Sequence, residues 1–585
     1  MIVPMRKIYL VARQSDHDPL IDMLRDLGIV HLVPVDPVLA VPDEATSRQV
    51  DTVKQSLQVL SGVAPQGTAP DIAPIDAAQE LLEIRRRGIE GRNQLAALYH
   101  QLEKVAIWDD LRLDHVDELR QAGVRVQFLA VPADAFGRIE AECVAEVGEL
   151  PDGKLLVALA DRTGDVTVPE EATPLPLPPR DAATIRAEAK QIDEQLRQDV
   201  QRLHNLAHVT PVLQAELLRL EQQVEQIVAI RGAVADEDLF AMQGWLPAEN
   251  VSTLDARLSQ LNLPAVMEVM EPAEDEKPPT LVRPPAWARS IEGLFKILGT
   301  VPGYREFDVS IPFLIALPIF TAMLISDGGY GAVLLLGPAL AYRRVARALG
   351  ASFTQLLMIV GAVTVVWGTL TNSFFGFPVL PVTAIPVELS DASRLFMMWL
   401  SFVIGATHLS LAQLWQGARL YPDLRALNKL GWALFIWGMF GVVNMFVLQG
   451  PLNWNTPWPY LLIAGASLAI LFASPSRNPL RMIGVGLASF PLSMLSSFSD
   501  VISYVRLMAV GLAGSVLAAN FNQMAFDAGP WLMPVVLVLG HSLNLGLAMI
   551  AMFAHGVRLN MLEFSNNLGM AWVGYTYRPF AHRAR

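Results

Sequence analysis

Ser503-Tyr-Val-Arg-Leu-Met-Ala-Val-Gly-Leu-Ala-Gly-Ser-Val-Leu-Ala-Ala-Asn520 is apolar and rich in small residues over the length of a bilayer crossing, and it carries one charge, Arg506. A guanidinium stays protonated, with a pKa above about 12. At a helix centre it costs about 2.5–3.5 kcal/mol on insertion scales. Arg506 is too far from either end of its segment to snorkel easily to the headgroups, so it reads as a functional charge. A second arginine, Arg558, stands in His555-Gly-Val-Arg-Leu-Asn-Met-Leu-Glu563. It lies nearer the end of its segment, where snorkelling and a functional role both stay open.

The chain divides by composition. Of its 585 residues 52% are hydrophobic, and the mean hydropathy is +0.36. Residues 1 to about 290 are charged and contain no apolar run near the length a bilayer demands, whereas such runs dominate from about residue 311. The net charge of -13 comes mainly from the first half and argues against a nucleic-acid surface. One cysteine, Cys143, excludes an internal disulfide and a cysteine-based metal site, and fits a reducing compartment. Met1-Ile-Val-Pro-Met-Arg-Lys7 lacks a signal peptide's apolar core, so the first half is expected to stay in the cytoplasm.

About eight spans are expected: Ile311–Ile325, Tyr330–Tyr342, Phe353–Phe375, Leu395–Gly417, Leu430–Leu448, Tyr460–Phe472, Pro491–Asn520 and Trp531–Phe564. The first two are short and meet at Ser326-Asp-Gly-Gly329, a tight re-entry turn. With a cytoplasmic first half, the inner loops hold Arg343, Arg344 and Arg347, then Arg419, Arg425 and Lys429, then Arg477 and Arg481; the C-terminus holds Arg578, Arg583 and Arg585. The outer loops, Gly376–Ser393, Gln449–Pro459 and Phe521–Pro530, contain no Lys or Arg. This is the positive-inside pattern, and it predicts an even number of spans with both termini cytoplasmic. Trp454, Trp458 and Trp531 fit interfacial anchors on the outer side.

In the first half, Arg6–Ala12 and Ile29–Val35 read as strands flanking an amphipathic helix over Asp16–Leu27. A helical stretch from about Asp76 to Leu111 spaces Leu95, Leu98, Leu102 and Val105 by threes and fours. A clearer heptad frame runs through Ile185, Ala189, Ile192, Leu196, Leu203, Leu206, Leu213, Leu217, Leu220, Val224 and Ile227, with Pro211 expected to kink it. Val124–Val131 and Leu155–Leu159 between the helices are strand-like, and a Pro-rich run from Pro174 to Pro179 follows. The fold class is therefore mixed: cytoplasmic α/β heads joined by a long antiparallel coiled-coil arm, then an all-α polytopic membrane domain. The arm pairs 76–111 with 181–232 around a distal α/β head at about 112–180; residues 1–290 form the cytoplasmic part, 291–310 a linker and 311–585 the membrane domain. The second helix alone could span roughly 70 Å. An ordinary helical bundle is the plainer alternative.

Together these features resemble the membrane stator subunit, called I or a, of the vacuolar/archaeal-type rotary ATPases. Leu239-Phe-Ala-Met-Gln-Gly-Trp-Leu-Pro247 is similar to the Gly-Trp-x-Pro element closing the family's proximal head. Pro278-Pro-Thr-Leu-Val-Arg-Pro284 and Pro302–Pro312 resemble its entry to the membrane. Ser326-Asp-Gly-Gly-Tyr-Gly331 is similar to its Gly-Asp-x-Gly-Tyr-Gly turn, with Ser in place of the first Gly. The strongest likeness is Asp500-Val-Ile-Ser-Tyr-Val-Arg-Leu-Met-Ala-Val-Gly-Leu-Ala513, around the family's essential arginine; Arg558 in Val-Arg-Leu-Asn-x-x-Glu-Phe matches a second one. Pro318-Ile-Phe-Thr-Ala-Met-Leu-Ile-Ser326 departs from the usual Phe-Gly-Met-Met run, and the chain is short for the family.

The resemblance implies a rotor proteolipid ring (subunit c or K) turning against the last two helices, peripheral stalk subunits of the E and G type, and a soluble ATPase sector. Arg506 would favour ionisation of each arriving rotor carboxylate and separate two half-channels. Candidate path residues are Ser499, Asp500, Ser503 and Glu563 on the cytoplasmic side, Asp327, His541 and Asn544 on the outer side, and His408 at mid-span. Each is also explained as a satisfied polar packing residue. Ala509, Gly511, Ala513, Gly514, Ser515 and Ala518 offer a smooth face, for a sliding partner or for static helix packing. The transported ion implied is H⁺ rather than Na⁺. No cofactor or metal is expected. No phosphate loop or HExxH motif is present, so the chain is not expected to be an enzyme by itself. A secondary transporter should show two related halves, which are not visible; a membrane scaffold with a coiled-coil arm leaves Arg506 unexplained.

Overall fold

The computed structural model describes residues 1–582 apart from 109, 110, 151, 163, 165, 237, 261–263, 382, 386–389, 476 and 477. Of the expected inner-loop arginines, Arg477, Arg583 and Arg585 lie outside the described residues. The chain forms two compact units: Met1–Leu10, Ile29–His31 and Gly244–Pro579 in one, and Val11–Gly28, Leu32–Gln243 and Phe580–Arg585 in the other.

In the second unit four helices carry the core. They are α1 (Glu44–Leu60), α2 (Pro74–Lys104), α3 (Ala182–Leu206) and α4 (Thr210–Arg231). Near one end of α2, Leu98 and Leu102 meet Ile185, Ala189 and Ile192 of α3. Near the other end, Leu81 and Ile84 meet Leu206, Leu213 and Leu220, so α2 runs antiparallel to the α3–α4 pair. The heptad frame predicts one kinked helix, but the structure has two, separated by a tight turn at Ala207–Val209. Pro211 then lies in the first turn of α4, where its missing N–H costs nothing. The first helix ends at Lys104, before the expected Leu111, and a short turn at Ala106–Trp108 follows.

Helix α1 was not foreseen. Its Val50, Val53 and Leu60 complete the core against α2 and α4, so three helices pack where two were expected. The apolar spacing is present in Val50-x-x-Val53-x-x-x-Leu57-x-x-Leu60, within a polar sequence. The insert between α2 and α3 is a four-stranded antiparallel sheet, ordered Cys143–Glu149, Lys154–Asp161, Arg125–Pro132 and Thr173–Pro174. Arg125 faces Asp161 and Pro132 faces Lys154, which puts Leu129, Val131, Val157 and Leu159 in one small core.

In the first unit, each of the eight expected apolar segments contains a helix, although the third ends at Thr371, short of the expected Phe375. Among the described residues, five stretches are long and apolar enough to cross a membrane: α7 (Ala351–Thr371), α8 (Asp391–Leu420), α9 (Arg425–Leu448), the run Pro479–Asp527 and the run Met533–Leu568. Three are shorter: α5 (Ser310–Ile325), α6 (Gly328–Leu340) and α10 (Trp458–Leu471). By length and composition these helices suit an integral membrane protein. The run Pro479–Asp527 comprises α11 (Pro479–Ser503) and α12 (Val505–Asp527), which meet at Tyr504. The next run is α13 (Met533–Ala551) followed by two π-helical segments, Met552–Val557 and Leu559–Phe564.

Helices with such uniformly apolar surfaces gain little from hydrophobic segregation in lipid and associate by close contact. Gly361 of α7 illustrates this, since a Cβ there would lie 2.6 Å from the backbone nitrogen of Leu335 on α6. Larger side chains then fill the centre, where Phe320 and Met323 of α5, Phe402 and Leu409 of α8, Phe440 of α9 and Leu507 of α12 share one core.

Candidate functional site

Two polar clusters flank the interior of α12. Arg506 stands in its first turn, two residues after Tyr504. Its Nε donates to the Ser503 carbonyl at 2.9 Å, and its Nη2 donates to Glu563 Oε1 at 2.7 Å. The Arg506 side chain is 22% exposed and that of Glu563 only 5%. Arg558 Nε lies 3.6 Å from the same carboxylate oxygen, with its side chain 53% exposed. Glu563 Oε2 is buried and has no hydrogen-bond partner among the described residues.

The π-helical turns explain how Arg558 and Glu563 come together. Five residues apart on an α-helix, they would point about 140° away from each other. A π turn closes between residues five apart and puts such a pair on one face. A sequence read with a 3.6-residue period hides this, and the motif Val-Arg-Leu-Asn-x-x-Glu gives no spacing cue.

Below Glu563 the network continues through two amides that the sequence reading did not single out. Asn567 Nδ2 donates to Asp500 Oδ2 at 2.9 Å and to the Glu563 carbonyl at 2.8 Å, while Gln413 Nε2 donates to Asn567 Oδ1 at 2.9 Å. Their signal was available: amides in apolar helices need partners, and those partners are then other polar residues. Ser503 contributes its carbonyl to this cluster. His408 is close by; its Nδ1 is 2.8 Å from the Tyr504 hydroxyl and its ring stacks on Phe564 at 4.3 Å.

The second cluster meets α12 from Gly514 to Asn522, eight to sixteen residues beyond Arg506, or about 12 to 24 Å at 1.5 Å per residue. Asn544 Nδ2 donates to the Gly514 carbonyl at 2.9 Å and to the Tyr330 hydroxyl at 3.0 Å. Tyr330 Oη is 2.7 Å from His541 Nδ1, and His541 Nε2 is 3.0 Å from Asn522 Oδ1. Asn522 Nδ2 ends the chain on the Phe375 carbonyl at 2.7 Å. Each donor meets an acceptor if Tyr330 donates to a neutral His541 ring that donates from Nε2. Tyr330 and His541 also border a cavity of about 310 Å³, lined by Val333, Phe375, Val538 and Leu545 among others. His541 and Asn544 therefore come together, with Tyr330 and Asn522 as members missed in the sequence.

Asp327 belongs to neither chain. It is fully buried and caps α6, accepting Gly329 and Tyr330 N–H groups on Oδ1 at 2.8 and 3.2 Å. Oδ1 also takes the Phe375 N–H at 2.9 Å, and Oδ2 takes the Ser373 hydroxyl at 2.8 Å and the Gly376 N–H at 2.9 Å. Five donors leave the carboxylate well satisfied, and they tie the α5–α6 turn to the segment after α7.

The small-residue stripe of α12 divides. A Cβ on Gly511 would stand 2.2 Å from the Met323 carbonyl of α5, and Ala518 is buried, so these two serve static packing. Ala509 and Ala513 are exposed.

No protein-family model matches the chain. It is 26% identical to V-type ATP synthase subunit I of Borreliella burgdorferi, over 99% of each chain. It is 28% identical to V-type ATP synthase subunit I 1 of Treponema pallidum, over 100% of each. A-type ATP synthase subunit I of Archaeoglobus fulgidus matches at 24% identity over 59% of each chain. A crystal structure of the cytoplasmic N-terminal domain of subunit I, homolog of subunit a, of V-ATPase is 16% identical, covers 45% of this chain and 100% of that one, and has a TM-score of 0.20. The similarity to V-type ATP synthase subunit I runs the whole length of both chains in these two bacterial relatives.

Proposed function

We propose that the chain is the non-catalytic membrane stator subunit of a rotary ATPase, forming the half-channels that carry H⁺ across the membrane by way of a rotor ring of carboxylate-bearing helices. The observation that carries this reading is Arg506, a permanent charge in an apolar helix, partly exposed and held by a carboxylate from the last helix. In a low dielectric such a charge stabilises an ionised carboxylate brought beside it and leaves the protonated form favoured elsewhere. The Asp500–Asn567 cluster serves ion access on the cytoplasmic side. The Asn544–Tyr330–His541–Asn522 chain serves the outer side, with Asp327 as its structural anchor.

In this reading the three shorter apolar helices also cross the membrane, for eight crossings with both termini in the cytoplasm, and the complex sits in the cell's inner membrane. Residues 1–290 form the cytoplasmic part. The paired α2 and α3–α4 helices act as a coiled-coil strut, and the heads engage peripheral stalks of the E and G type that reach the soluble ATPase sector.

Gentle detergent extraction tests the assembly. A small two-helix proteolipid and an ATPase head should co-purify with the chain. Purification of the chain alone from cells in which those partners are present and assembled would contradict the proposal.

A further inference from the structure

Arg506 is already neutralised inside the subunit before any outside carboxylate reaches it, since Glu563 Oε1 accepts its Nη2 at 2.7 Å. An arriving carboxylate must compete with that bond. Breaking a buried pair without replacement would strand Glu563 as an unpaired charge in an apolar setting, which is strongly unfavourable. The replacement is at hand. Arg558 Nε stands 3.6 Å from the same carboxylate, and the Arg558 side chain is half exposed. Glu563 Oε2 is buried and unoccupied by any donor among the described residues, leaving an acceptor for the second guanidinium. Asp500 is bonded to Asn567 instead of either arginine, so it does not substitute for Glu563.

We infer that Glu563 is an exchangeable counter-ion. It holds Arg506 while no rotor carboxylate is present, and passes to Arg558 when Arg506 turns toward one. The inference rests on the proposed stator role. Glu563 is then a positioning residue that acts through Arg506, and Arg558 matters because it receives Glu563. The π-helical turns that align Arg558 with Glu563 are the structural basis of the exchange. Two guanidinium groups against one carboxylate leave one positive charge in the trio, matched to one incoming carboxylate at a time.

The test is charge rescue in the assembled complex, read as ATP-driven acidification of vesicles. Glu563→Gln leaves both arginines uncompensated and over-binds the rotor carboxylate. Arg558→Gln leaves Glu563 with no second partner and keeps it on Arg506. Each change should slow pumping by about tenfold or more. Glu563→Gln with Arg558→Gln removes one charge of each sign, and should pump several-fold faster than Arg558→Gln alone. That comparison decides the matter even if Glu563→Gln assembles poorly. A double variant no faster than Arg558→Gln would overturn the exchange. Pumping by an Arg506→Ala complex would instead defeat the stator reading on which the exchange rests.

Discussion

Asp327 and Ser373 are joined by a 2.8 Å hydrogen bond from the serine hydroxyl, which ties the turn before α6 to the segment after α7. Four backbone N–H groups complete the carboxylate's shell. The Asp327 carboxylate thus organises the wall beside Tyr330 and His541.

Asp327→Asn should therefore act first on stability. The new amide would aim its own N–H groups at the Ser373 hydroxyl and the Gly376 N–H, or at the three N–H groups on the other oxygen. The loss should be about 1–3 kcal/mol or more, since a charged acceptor is removed. Thermal melting of the purified membrane protein in detergent measures it. Unchanged melting combined with lost transport would show Asp327 to be an ion-path group instead of an anchor.

Much of this architecture was legible in the sequence, for identifiable reasons. Apolar runs report bilayer-length helices directly, because lipid leaves the backbone no other partner. Arg506 stood out because its charge cannot be removed. The Arg558–Glu563 alignment was invisible, since it depends on π turns that a regular helical period misplaces. Tyr330 and Asn522 passed unnoticed because each is unremarkable alone, and only the packing of α6, α12 and α13 brings them to His541. The break at Ala207–Val209 was located only approximately, through Pro211, and α1 escaped because its apolar stripe is diluted by polar neighbours.

Asp181 caps α3, taking the Thr184 N–H at 2.8 Å, and is nearly buried. Bonds from the Thr184 hydroxyl and then its N–H hold the carboxyl below the usual carboxylate range, against the opposing effect of burial. A depressed folded value means that the cap's stabilisation is fully present above the unfolded pKa of about 3.9. It is lost as pH falls from there through the lower folded value. Asp181→Ala should cost about 0.5–2 kcal/mol and open the first turns of α3. Amide hydrogen exchange over residues 182–190 in the intact chain reads this out at neutral pH. Unchanged protection would exclude a capping role.

The orientation has a direct test. Cysteines placed singly in Gln449–Pro459 should react with an impermeant thiol reagent added outside cells, and cysteines beside Arg425 should react only after the membrane is opened. The charge distribution of the loops underlies this expectation. Labelling in the reverse sense would overturn the side assigned to every residue of the ion path.

Arg506 provides the most direct measurement. In vesicles carrying confirmed assembled complex, ATP-driven acidification is compared between the native protein, Arg506→Ala and Arg506→Lys. No acidification is expected with alanine, because nothing then favours deprotonation of the arriving carboxylate, while Arg558 remains near Glu563 to limit the structural damage. Severe impairment is expected with lysine, whose compact ammonium can lose its proton when desolvated and lacks the planar fork of the guanidinium. Near-native acidification by the Arg506→Ala complex would contradict the account.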